Sequence, residues 1–389
     1  MLTAVAIAVV VVASVLLVPL ASAASNPVAT GSTTTITLNS GFTKKLSKSK
    51  IKLTGVKPAT VKGKNVTLPI EEGSLETNGQ GTLTHSGGLK FKAGKKSVTL
   101  KALVLDTTKS SLTGKLGGKN MKIASVSGVT ATREGFGVTV AVKSMKLTGK
   151  AAGELNKKLG FSGKSKKKGK RASASASSDE PFKGNQVLGG SSSPTQPKTI
   201  GVLASGSAKL DGNLETLVKF GGLKVEISPI EPTKKENLAT FLFPIGGGNI
   251  APNGMGGVPQ TLGGIMFKQE VAPTFFLTMT LKNIWVDMSS LKATAEVSIE
   301  DNNIPGVETP GPLGRVSIAD IKPEGATIVP NPDGHTVTVA NANAVLEETT
   351  AFTLNSTFAP EEPPKSGKHK EVFKAGDSLG LFSFTATTE

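Results

Sequence analysis

Few residues of this chain are of the types that do most protein chemistry. Its 389 residues include three histidines, His85, His335 and His369, and no cysteine or tyrosine. Without Cys there is no disulfide, thiolate metal site or thiol nucleophile. The histidines lie in separate segments, so no metal centre is expected. His335 follows the turn Pro332-Asp333-Gly334 and His369 sits in a Lys-rich stretch; both read as solvated. His85 has a more defined setting, Thr84-His85-Ser86-Gly87-Gly88-Leu89. An imidazole there is either a strand or turn histidine bonded to backbone or a ligand-binding group. Asp106 and Asp287 each end a strand-like segment before a polar turn, and read as turn caps rather than an acid–base pair. The sequence has no Gly-x-Ser-x-Gly elbow, Walker loop, dinucleotide fingerprint or His-Glu-x-x-His. These absences point to a protein that is not an enzyme.

Charge is the stronger chemical signal. Residues 25–190 hold 30 Lys and Arg against 8 Asp and Glu, a net +22, whereas residues 191–389 hold 15 against 21, a net −6. Part of the excess is one run containing Lys164, Lys166, Lys167, Lys168, Lys170 and Arg171, followed by an Ala/Ser stretch to Ser178. Residues 161–181 are therefore expected to be a disordered basic loop, and its six cations are candidate contacts for a polyanion. No aromatic residue interleaves the run, so nucleic-acid binding would be salt-sensitive and blind to sequence, and no specific nucleic-acid partner is expected.

The elements that carry these residues occur twice. Leu68-Pro69-Ile70 is matched by Phe243-Pro244-Ile245, and Gly87-Gly88-Leu89-Lys90-Phe91 by Gly263-Gly264-Ile265-Met266-Phe267. Val98–Asp106 is matched by Met279–Asp287, Val138-Thr139-Val140 by Val337-Thr338-Val339, and Leu155-Asn156 by Leu354-Asn355. Phe182-Lys183-Gly184 through Leu188-Gly189 echoes Phe373-Lys374-Ala375-Gly376 through Leu379-Gly380. The order is preserved and the offset only grows, which describes a duplicated domain with loop insertions. Within each copy, apolar and polar residues alternate at period two, the pattern of half-buried antiparallel strands. Helices are expected at Gly149–Gly160 and around Phe42–Leu46, with counterparts near Ala351–Phe358 and Leu214–Leu217. The fold class expected is mainly β: two similar antiparallel sandwiches or partly closed barrels, at 30–190 and 200–389, each with one or two short helices. Ser191-Ser192-Ser193-Pro194-Thr195-Gln196-Pro197 has linker composition, placing a linker at 191–199.

The ordered set Leu68–Gly73, Thr84–Phe91, Val98–Asp106, Lys150–Leu159 and Phe182–Gly189, repeated in the second copy, resembles the HtaA domain. That resemblance implies a mainly β domain of exported, surface-attached proteins of Gram-positive actinobacteria, which capture haem outside the cell. It implies iron binding by a Tyr phenolate with a supporting His. His85 matches the supporting histidine; the Tyr has no counterpart, and the segment Phe42–Leu46 offers Lys44 and Lys45 instead.

Residues 1–24 read as a signal peptide. The run Ala4–Leu20 is almost wholly apolar, and Ala21-Ser22-Ala23 fits cleavage before Ala24. No second long apolar run follows, so no membrane span is expected after cleavage. Two functions follow: an exported binding protein for which the resemblance implies haem as ligand, or a structural or adhesive envelope protein holding anionic surface polymers through its basic first domain.

Overall fold

The computed structural model describes residues 26–29, 31–161, 180–302, 309–362 and 368–389. Residues 1–24 and the run Lys164–Arg171 lie outside them. The first copy comprises β1 (Asn26–Pro27), β2 (Thr33–Leu38), α1 (Ser40–Lys48), β3 (Ile51–Val56), β4 (Thr60–Lys62), β5 (Asn65–Leu75), β6 (Gly81–Ala93), β7 (Lys96–Asp106), β8 (Ser111–Leu116), β9 (Lys119–Glu134), β10 (Gly137–Leu147), α2 (Gly149–Leu159) and β11 (Val187–Thr195). The second comprises β12 (Ile200–Gly201), β13 (Ser207–Gly212), α3 (Leu214–Gly222), β14 (Val225–Ile230), β15 (Lys234–Lys235), β16 (Thr240–Ile250), β17 (Pro259–Thr261), β18 (Gly264–Ala272), β19 (Phe275–Asp287), β20 (Lys292–Asp301), β21 (Gly311–Lys322), β22 (Thr327–Asn331), β23 (Thr336–Leu346), α4 (Glu348–Phe358) and β24 (Ser378–Thr387).

Each copy closes into an eight-stranded antiparallel barrel. In the first, the order is β5-β2-β11-β10-β9-β8-β7-β6, and β6 returns to β5 through Ile70↔His85 and Leu75↔Gly81. In the second, the order is β16-β13-β24-β23-β21-β20-β19-β17, with β17 returning to β16. Closure pairs the strand edges that a sandwich would leave open. The sandwich alternative is thereby replaced by a closed barrel. Beyond the ring, β6 bends and carries on to pair with β3, and β18 does the same with β14.

The repeated motifs are the hardware of this design. Gly87 and Gly263 both have φ of +79°, and a Cβ on the next glycine would lie 2.2 Å from the Leu100 carbonyl oxygen in one copy and 2.0 Å from that of Leu281 in the other. Only glycine permits the bend by which the strand leaves the ring. The Leu-Asn motif works the same way twice. Asn156 donates to the Phe182 carbonyl at 2.8 Å and accepts from its amide at 3.3 Å; Asn355 does so with Phe373 at 2.7 and 2.9 Å. Each Asn sits on the helix that caps its barrel and ties it to a fully buried Phe at the chain's return.

The linker expected at 191–199 is corrected in part. Residues up to Thr195 belong to β11, between β10 and β2, with Ser191, Ser193 and Thr195 facing inward and buried. Serine and threonine resemble linker in composition, yet alternate hydroxyls can line a barrel: Ser193 Oγ meets Thr34 Oγ1 and Thr195 donates to the Val138 carbonyl, while the buried Ser191 hydroxyl has no hydrogen-bond partner. Among the described residues no strand is shared by the two sheets, and buried apolar residues form one cluster per barrel, except that Phe136 joins the second. The barrels touch where Asn26 Oδ1 accepts from the Gly201 amide at 3.2 Å and Arg133 donates to the Glu389 carbonyl oxygen.

Candidate functional site

His85 lies on β6 just before the glycine bend and points into the barrel, 3% exposed. Its Nδ1 is 3.1 Å from the Leu103 carbonyl oxygen, and its Nε2 is 2.7 Å from Thr34 Oγ1. Thr34 Oγ1 is in turn 2.8 Å from Ser193 Oγ. A carbonyl oxygen can only accept, so Nδ1 carries the proton and Nε2 is the acceptor. The protons then run in one direction: Ser193 donates to Thr34, Thr34 to His85, and His85 to Leu103. This chain links β11, β2, β6 and β7 across the barrel. Burial holds the imidazole's pKa below its ordinary 6.5, and the hydrogen bond to Leu103 opposes part of that shift. His85 is therefore a neutral side chain with both nitrogens occupied.

Hydroxyl and imidazole at 2.7 Å have the spacing of a nucleophile and its base. Thr34, His85 and Ser193 are nevertheless 2%, 3% and 0% exposed, so no substrate reaches them. An interior cavity of the first barrel is apolar and about 50 Å³, lined by residues such as Phe42, Leu89, Phe91 and Met145, and borders neither Thr34 nor His85.

The other candidates are dispersed. His369, exposed as expected, bonds the Ala359 carbonyl at 2.8 Å. His335, expected to be solvated, is half-buried with its Nδ1 enclosed and without a hydrogen-bond partner. Among the described residues no group of three or more His, Asp or Glu is placed to hold a metal. Asp106 accepts from the Lys109 amide at 2.7 Å, and Asp287 from the Ser289 amide and the Ser290 hydroxyl, both at 2.8 Å: these are turn caps. Burial would raise the Asp287 pKa, but the bonds from Ser290 and Ser289 outweigh it and hold the carboxyl below its usual range. Lys44 and Lys45 are exposed on α1, whose N-cap Asn39 and buried Phe42 and Leu46 fix its orientation. At the matching position of α3, counted from its N-cap Asn213, Lys219 is ion-paired with Asp377.

What the site defines is a class: a tandem pair of closed antiparallel barrels, the first with a buried hydrogen-bonded chain through His85. The chain is similar to the C-terminal domain of HtaA from Corynebacterium glutamicum, with 14% identity and a TM-score of 0.34 over 49% of this chain and 99% of that one. It is similar also to the N-terminal domain of that protein (14%, TM-score 0.31, 48% and 99%) and to heme binding protein HtaB from the same organism (14%, TM-score 0.29, 49% and 95%). No protein-family model matches the chain, and no curated protein matches it in sequence. Among the described residues no helix is long and apolar enough to cross a membrane.

Proposed function

We propose that the protein is an exported, non-enzymatic binding protein of the cell envelope that meets its partner on an outer surface, not inside its barrels. The observation that carries this reading is the His85 chain, in which the protein's own groups bond both imidazole nitrogens and all three side chains are buried. Export rests on the Ala4–Leu20 run and the Ala21-Ser22-Ala23 site.

Haem is the ligand class that the HtaA resemblance brings forward, and the residues present do not fit it. Ferric haem held in that manner needs a phenolate, and the chain has no Tyr. The exposed Lys44 and Lys45 are cations and cannot replace it. The Nε2 lone pair of His85 is committed to Thr34, and an interior cavity of about 50 Å³ is far below the roughly 300–1,000 Å³ of pockets for small organic ligands. A haemin titration tests this. The expected spectrum is broad and equally so in wild type and His85→Ala. A sharp Soret band at one equivalent that vanishes in His85→Ala overturns the reading.

The partner that charge favours is an anionic polymer of the envelope. The 30 cations against 8 acids of residues 25–190 support it, as does the absence of any large exposed hydrophobic residue among the described residues of the first barrel.

A further inference from the structure

Strand register sorts the lysines of the first barrel. On the outward face of β3, β6, β7 and β8, Lys52 stands directly opposite Lys92, and Lys101 directly opposite Lys115. Lys90 lies two residues from Lys92, beside Thr99. All five are exposed, and among the described residues none has an ion-pair partner. The segments that carry them, 51–56, 89–93, 96–101 and 111–116, contain no acid. Directly opposed side chains sit about 5 Å apart and diagonal ones about 7–8 Å apart, so the five form one oblique stripe across four strands. Like charges directly opposite are destabilising in a sheet.

The second barrel shows what the scaffold does otherwise. At the positions of Lys52 and Lys92 it has Glu226 opposite Lys268, and at those of Lys101 and Lys115 it has Lys282 opposite Glu296. Met266 replaces Lys90. Two like-charge pairs in one copy are two complementary pairs in the other. The scaffold accepts neutralised pairs, and the first barrel does without them.

We infer that this stripe, Lys52, Lys90, Lys92, Lys101 and Lys115, is the docking surface for a linear, base-free phosphate polymer such as a polyol phosphate or polyphosphate chain. The inference rests on the surface-binding reading above and names its site and partner. Lysine ammonium groups bind phosphate as compact point charges, without the planar two-bond geometry that Arg brings to phosphate and carboxylate alike, which suits a flexible chain of repeating phosphates. The face offers no stacking platform: Phe91, the aromatic residue of those segments, is buried. Bases would find nothing to stack on, and with no exposed large hydrophobic among the described residues of this barrel, a lipid surface would find nothing there to insert.

The test uses the full chain with Lys164, Lys166, Lys167, Lys168, Lys170 and Arg171 changed to Ser, so that the basic run does not mask the stripe. Its affinity for long-chain inorganic polyphosphate is measured over a salt series. The exchange Lys52→Glu with Lys115→Glu installs the charge pattern of the second barrel. It is expected to lower affinity about ten-fold or more and to flatten the slope of log affinity against log salt by about 3, as four contacts are neutralised. Lys143→Glu with Lys146→Glu, on the exposed side of β10, changes net charge equally and is expected to have a much smaller effect. Equal losses in the two variants overturn the stripe while leaving surface binding standing. No binding by the parent chain overturns both. Tighter binding to single-stranded DNA than to polyphosphate overturns the base-free assignment. Thermal melts of both variants identify any that fail to fold.

Discussion

The two barrels share a frame and differ in their interiors. Where the first has Thr34 beside Ser193, the register of the second places Ala208 beside Phe384. His85 is matched by Thr261, whose hydroxyl donates to the Ile284 carbonyl at 2.7 Å, the counterpart of Leu103. Ser191, Ser193 and Thr195 on the inner face of β11 become Phe382, Phe384 and Ala386 on β24. The link to the strand after the glycine bend is thus kept in both copies, by an imidazole in one and a hydroxyl in the other. The remainder of the polar chain is replaced by hydrocarbon. The difference teaches that the fold needs one hydrogen bond at this position and not a histidine. It also shows that residues repeated in both copies, Gly87-Gly88 and Asn156 among them, hold the scaffold. Whatever is specific to the first barrel must then be sought where the copies diverge.

The sharpest way to break that comparison is to remove the imidazole. His85→Ala leaves a cavity and strips Thr34 of its acceptor, for an expected loss of about 2–4 kcal/mol. Thr261→Ala in the second barrel removes one hydroxyl and is expected to cost about 1 kcal/mol. Trp285, the only tryptophan, lies on β19 with Arg315 3.7 Å above its ring, and so reports the second barrel alone. Denaturant unfolding followed by circular dichroism should show the His85→Ala transition moving ahead of the Trp285 fluorescence change. A single transition shifted equally in both signals shows that the barrels unfold as one unit.

Acidification separates the interiors more gently. His85 has a folded pKa below 6.5, so below that pH the unfolded chain binds a proton that the folded barrel resists. Its contribution is intact above 6.5 and is lost as the pH falls from there towards the folded value. First-barrel stability should therefore decline on mild acidification, and His85→Thr, which copies the second barrel, should flatten that part of the curve. An unchanged pH profile in His85→Thr means that His85 is not the group responsible.

Much of this frame was legible in the sequence. The duplication, the period-two strands, the four helices among the described residues and the capping role of Asp106 and Asp287 follow from sequence pattern. The partners of His85 do not. Thr34 is 51 residues away and Ser193 a further 108 beyond His85, and only the ring closure that pairs β5 with β6 brings them together. The alternation of Ser191, Ser193 and Thr195 was a usable sign of an inward-facing strand, hidden because Ser, Thr and Pro are also the residues of linkers. Closure itself was obscured in the second copy, where it depends on the three residues Pro259–Thr261. The opposed lysines were likewise invisible, since nothing local says that Lys52 faces Lys92.

Those lysines supply the smallest effect and the most direct comparison of the outer faces. If Lys52 and Lys92 repel, Lys52→Glu should stabilise the first barrel by about 0.2–1 kcal/mol in dilute buffer, as expected for exchanging a like for an opposite cross-strand charge. Glu226→Lys, which gives the second barrel the pattern of the first, should destabilise it by a similar amount. Both effects should fade near 1 M salt, where the screening length falls to about 3 Å and exposed charges at this separation scarcely interact. Opposite signs in dilute buffer that converge on zero at high salt establish that the first barrel keeps its lysine pairs at a cost in stability. The same sign in both variants, or no dependence on salt, means that the substitutions act through strand packing and that the charge contrast between the two faces carries no energy.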